Sequence, residues 1–147
     1  MYSDNTEVQY AGFLIRLTAA IIDNIWLYGL IYLVLDNVIH VNIFNPETEY
    51  SLILFLFEYI LPFIIVITFW ARISSTPGKL IFRLKIVDAD TLGQVSIKML
   101  IIRYFSYILS MLPLFWGFIR IARDERKQGW HDKFANTVVV REKSFKN

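Results

Sequence analysis

The sequence predicts an all-α integral membrane fold. It consists of two transmembrane helices, a third hydrophobic region broken at Pro113 (re-entrant or a helical hairpin), and a small cytoplasmic two-strand element. Three observations carry that prediction. Of the 147 residues 56% are hydrophobic and only 19% charged, whereas soluble domains are about one-quarter charged. Two apolar runs are long enough to cross a bilayer. The basic residues, finally, are distributed very unevenly along the chain. One domain is expected over 1–147, with a core at about 10–140 and polar tails at 1–9 and 142–147.

The first run, "FLIRLTAAIIDNIWLYGLIYLVL", covers Phe13 to Leu35, and at a rise of ~1.5 Å per residue it reaches roughly 35 Å. It is too long for the apolar part of a signal peptide, and the tail before it lacks Lys and Arg. The second, "LILFLFEYILPFIIVITFWA", covers Leu52 to Ala71, about the thickness of a hydrocarbon core. Neither run keeps the polar face that a buried helix of a soluble bundle shows to water.

The connection from Asp36 to Ser51 contains no Lys or Arg, while Arg72, Lys79, Arg83, Lys85 and Lys98 follow the second run. Basic residues in short loops favour the cytoplasmic side, so the N-terminus and residues 72–98 are expected there. From Arg120 onward the tail holds eight more basic residues, so it too is expected inside. "LKIVDA" (Leu84 to Ala89) and "TVVVRE" (Thr137 to Glu142) are β-like. A lone strand is rarely stable, so the two are expected to pair on one side of the membrane. The region between them, Ile97 to Ile121, must then cross an even number of times. A break at Pro113 provides for this, with Arg103 snorkelling to the headgroups. A single crossing is the competing arrangement.

The polar segments exclude several chemistries. "SSTPGKL" (Ser74 to Leu80) lacks the spacing of a phosphate-binding loop and reads as a turn back to the membrane surface. "DADTLGQ" lacks the ligand pattern of a calcium loop. His131-Asp132 does not make a closed metal site, because the other histidine, His40, belongs on the opposite side. The bland reading has Asp132 capping or salt-bridging a short segment, with Trp130 and Phe134 at the interface. Cysteine is absent, which rules out disulfides. No nucleophile–base pair is visible, so no enzyme, cofactor or metal is expected. The net charge of +2 does not suggest nucleic acid.

"YAGFLIRLTAAIID", "STPGKLIFRLKIVDAD" and "GWHDKFANTVVV" occur in this order between Tyr10 and Val140. Together they resemble the RDD family of small multi-pass membrane proteins, named for one arginine and two aspartates. The resemblance implies that Arg16 and Asp23 are the arginine and first aspartate, and that Asp132 is the second. It implies a membrane location, here the cytoplasmic membrane of a bacterium. It implies no settled activity, although sodium/proton antiport is proposed for some members. The chain departs from the usual pattern of a second basic residue beside the arginine, since Ile15 and Leu17 flank Arg16.

Arg16 and Asp23 share a helical face but stand ~10.5 Å apart along the axis, too far to touch. Arg16 can snorkel to the inner interface. Asp23, near the middle of the run, needs a partner, an ion or a proton. Three readings follow. In the first, Asp23 pairs with Arg103 or Arg16 of another helix or subunit and fixes packing in a membrane assembly. In the second, Asp23 and Glu58 lie at similar depth, roughly 6 Å apart along the axis, and exchange H⁺ for Na⁺ in an oligomer, with Asn24, Thr18 and Thr68 as oxygen ligands. In the third, Arg103, Arg123, Arg126, Lys127 and Trp130 bind anionic lipid or a partner.

Overall fold

The computed structural model describes residues 8–41, 51–111, 121 and 123–142, with side chains 108–111 excepted. Two long helices dominate it, and each begins where its apolar run begins. Helix α1 spans Phe13–Asn37. The second long helix is built of α2 (Leu52–Phe55), a π-helical stretch (Leu56–Ile60) and α3 (Leu61–Ile73). The wide π turn has a local cause. Pro62 has no N–H to donate four residues back, and its ring would crowd the preceding turn, so the ladder loosens just ahead of it. Both helices are long and apolar enough to cross a membrane, and most of their apolar surface is exposed.

One stripe of α1 (Leu27, Ile31 and Leu35) packs on Leu54, Phe57 and Leu61 of the second helix. A neighbouring stripe, Leu17, Ile21 and Ile25, is exposed and equally apolar. In water that face would cost stability, and against acyl chains it costs none.

Beyond Ile73 the chain turns through Ser74, which takes the left-handed conformation at the helix C-terminus. A short helix, α4 (Pro77–Ile81), follows where the sequence suggested only a turn. Strand β1 (Leu84–Asp88) pairs antiparallel with β2 (Thr137–Arg141), placing Ile86 opposite Val139. The expected pairing of the two Val/Ile segments is therefore present. The N-terminal segment adds an edge that the sequence did not suggest. Tyr10 bridges Val140, and Ala11 N–H donates to the Val139 carbonyl at 2.9 Å.

Helix α5 (Ile97–Met111) and the short helix α6 (Trp130–Phe134) cover this sheet. The core beneath them gathers Ala19, Trp70, Leu84, Ile86, Leu100 and Val139. Pro113 and the break expected there lie outside the described residues. Arg103, expected to reach headgroups, is instead fully buried on the inner face of α5. The reason is a buried carboxylate, Asp132, facing it from α6.

Candidate functional site

The polar residues expected to act separately converge where the first turns of α1 meet the sheet and its short helices. Two aspartates organise that junction.

Asp132 is fully buried. Its Oδ2 accepts from Arg16 Nη2 at 2.6 Å and from the Gly129 backbone N–H at 2.8 Å. The second bond closes the N-terminus of α6, as an acidic residue three positions into a helix can do. Its Oδ1 accepts from Arg103 Nη1, which also bonds the Thr137 hydroxyl. Arg16 further donates to the Lys127 carbonyl at 2.8 Å. Burial alone would push the Asp132 carboxyl up, but Arg103 and Arg16 hold it far below the usual carboxylate range.

His131 lies against the same group. Its ring stacks on Tyr107 at 4.1 Å between centroids, and its Nε2 is 3.1 Å from Arg16 Nη2. A guanidinium only donates, so Nε2 accepts and the proton sits on Nδ1. Burial lowers the imidazole pKa to about 3, and the nearby arginines add to that while Asp132 opposes it. His131 is thus a neutral packing group.

Asp23 has a different environment. Its Oδ1 accepts from the Gly78 backbone N–H at 2.7 Å and from Trp26 Nε1 at 3.2 Å. Its Oδ2 accepts from the Thr76 hydroxyl at 2.5 Å and faces Lys79 Nζ at 3.6 Å. The carboxylate therefore caps the N-terminus of α4 from another helix, which favours negative charge there. Close approach requires Gly78. A Cβ at this position would lie 2.9 Å from Asp23 Cγ and collide with the Ala19 carbonyl oxygen. In sequence "STPGK" reads as a turn. Its partner, Asp23, lies 55 positions earlier and leaves no local signal in this segment.

These placements correct several expectations. Arg16 is buried and paired, not snorkelling. Asp23 takes neither Arg16 nor Arg103, because Asp132 holds both. Nor does Asp23 approach Glu58. Trp26 packs edge-on against Phe69, which fixes the hairpin register and leaves the two carboxylates about 20 Å apart along the axis. The expected 6 Å assumed that the two antiparallel runs span the same depth. In fact the first turns of α1 extend past the second helix into the polar junction, so Asp23 sits beside the turn after α3. The proposed oxygen ligands do not converge either. Asn24, Thr18 and Thr68 each bond the carbonyl four residues earlier on their own helix. Arg123 and Arg126 are exposed, while Lys127 and Trp130 are half-buried. Among the described residues no cluster of His, Asp and Glu is suited to hold a metal ion.

Comparison with known proteins gives a consistent result. The chain matches the model of the RDD family over residues 10–136. It is similar to RP437 of Rickettsia prowazekii (strain Madrid E), 34% identical over 98 residues that cover 67% of this chain and 54% of that protein. The match therefore spans about half the length of the Rickettsia protein. Two proteins of Bacillus subtilis (strain 168) are similar over most of their length. YxaI is 33% identical, with 88% of this chain and 96% of YxaI covered. The membrane protein YteJ is 28% identical, with 93% and 84% covered. No solved structure matches the chain.

Proposed function

Since the chain belongs to the RDD family, we propose that it is a multi-pass protein of the bacterial cytoplasmic membrane whose family residues build a fixed polar junction for assembly. In this reading α1 and the second long helix cross the bilayer. The N-terminus, residues 72–98 and the C-terminal tail lie on the cytoplasmic side, and the sheet with α4, α5 and α6 forms a rigid cap there. The positions of Lys and Arg support that orientation. The cap offers a surface to a larger membrane complex or to copies of the same chain.

One observation carries the reading. Arg16, Asp23 and Asp132 all bind groups of their own chain, as residues that fix packing do. Sodium-dependent proton flux in proteoliposomes is the decisive measurement. The wild type and Asp23→Asn should both match empty liposomes, and a flux lost in the variant would overturn the reading in favour of exchange. Cross-linking in native membranes should capture the chain in a larger assembly.

The exposure of Arg123 and Arg126 favours a second role at the same face, contact with anionic lipid. Neutralising Arg123, Arg126 and Lys127 together should then lower the amount of phosphatidylglycerol that co-purifies with the full chain in neutral detergent at low salt. Unchanged retention of phosphatidylglycerol would remove that role.

A further inference from the structure

Helix α5 has two unlike faces. Leu100, Arg103 and Tyr107, spaced three and four apart, point into the junction. Leu100 joins its apolar core, Arg103 bonds Asp132, and the Tyr107 ring stacks on His131 of α6. Ile97, Ile101 and Phe105 recur every four residues along another side. Ile97 is 60% and Phe105 56% exposed, with Ile101 half-buried between them.

Three contacts fix how α5 lies against α3. Gln94, just before α5, donates from Nε2 to the Ala71 carbonyl at 2.8 Å. Near the other end of the described face, the Tyr107 ring is 6.2 Å from that of Trp70, the residue next to Ala71. A helix running alongside α3 would travel about 15 Å along it between Ile97 and Tyr107, yet α5 is still at the end where it began. It therefore lies across α3, with its two faces turned opposite ways along that helix. Tyr107 reaches Trp70 and the cap. Phe105 reaches Phe63, 5.8 Å away and about two turns nearer the middle of the apolar run.

Phe63 is flanked on its own long helix by exposed Ile60 and Ile64. The α5 face thus runs on into the surface that the proposed crossing turns to acyl chains. Short helix α4, held by Asp23 at the same end of the second helix, adds exposed Leu80 and Ile81. Lys98 of α5 and Arg72 at the end of α3 are exposed beside these residues.

We propose that α5 and α4 form an interfacial collar. Ile97, Ile101, Phe105, Leu80 and Ile81 enter the acyl boundary of one leaflet, roughly 5–10 Å deep as amphipathic helices do, while Lys98 and Arg72 reach its phosphates. The inference rests on the crossing of α1 and the second long helix proposed above, and it makes the described part of α5 a lateral anchor instead of a further crossing. The partner is a lipid surface because the face continues that of the crossing helix and carries basic residues beside its apolar ones.

The natural chain has no cysteine, so single cysteines can carry spin labels without further change. The full chain labelled at Ile97→Cys, Phe105→Cys or Ile81→Cys is reconstituted into vesicles of phosphatidylcholine and phosphatidylglycerol. Collisions of the label with oxygen, which concentrates in acyl chains, are compared with collisions with a water-soluble nickel chelate. Leu30→Cys and Ile64→Cys report the two proposed crossings, and Glu125→Cys reports water. The oxygen-to-nickel ratio at the three collar sites should exceed that of Glu125→Cys several-fold, stay below that of Ile64→Cys, and be alike at Ile97→Cys and Phe105→Cys. Water-like ratios at the collar, with Leu30→Cys and Ile64→Cys in acyl chains, would overturn the collar and leave the crossing standing. A Phe105→Cys ratio equal to that of Ile64→Cys, with Ile97→Cys water-like, would overturn it in favour of a crossing α5. Few collisions with either reagent would overturn it in favour of a protein covering the face. Water-like ratios at every site would remove the crossing and the collar together. Ile97→Cys and Ile81→Cys, which remove no ring contact, decide the outcome even if Phe105→Cys does not fold.

Discussion

Asp132 and Asp23 are the same side chain in two kinds of surroundings. Asp132 is fully buried between two guanidinium groups, one from α1 and one from α5. Asp23 is partly exposed and held by a hydroxyl, a backbone N–H and an indole N–H, with an ammonium farther off. The first centre ties distant parts of the chain together through charge. The second positions one short helix through neutral donors. The difference should be visible in what each residue tolerates.

Asp132→Asn should have the largest effect, because it leaves two buried arginines without an anion. Breaking a buried pair in this way costs about 3–5 kcal/mol, read as a large fall in thermal midpoint or loss of folded protein in detergent. A variant that melts within a few degrees of wild type would show that the arginines find other partners.

Acid should act next, and in two stages. The folded imidazole of His131 is held well below its unfolded value of 6.5, so below that pH the unfolded chain takes up the proton first. Stability should therefore fall as pH drops below about 6.5, at up to ~1.4 kcal/mol per pH unit for one proton. Below about 4 the depressed carboxyl of Asp132 should steepen the loss, since the unfolded carboxyl is protonated there while the folded one is not. His131→Asn should flatten the first stage and leave the second.

At the Asp23 centre the effects should be smaller. Gly78→Ala forces α4 away from α1, and overpacking of this kind costs about 1–3 kcal/mol. Asp23→Asn retains an acceptor for the Gly78 N–H and should cost about 1 kcal/mol. A penalty for Asp23→Asn equal to that of Asp132→Asn would erase the distinction between the two centres. Smallest of all, Lys133→Ala breaks a pair with Asp124 at the surface, for which ~0.2–1 kcal/mol is typical.

Much of the fold is legible in the sequence because long apolar helices and strand pairing leave strong local marks. The starts of both long helices and the pairing of Leu84–Asp88 with Thr137–Arg141 follow from apolar run length and Val/Ile content. The site is less legible. Arg16 and Asp23 announce themselves by charge in an apolar run, but their partners lie 116 and 55 positions away, at Asp132 and Gly78. No helical period links such residues. The depth of Asp23 is not legible, because run length does not show that α1 outreaches its neighbour. Arg103 is obscure for a related reason: a long basic side chain in an apolar region reads as snorkelling, and the buried carboxylate opposite it, Asp132, is 29 positions away.

The 116-residue separation of Arg16 and Asp132 also sets an order of events during synthesis. Translation produces α1 early, yet its arginine has no anion until α6 leaves the ribosome. The Tyr10 bridge likewise waits for Val140. In the proposed orientation the first helix therefore enters the membrane with its entry end unfinished, and the last strand closes it. Ribosomes stalled before Gly129 should display a nascent chain whose Arg16 is open to chemical modification, and release past Arg141 should close that window.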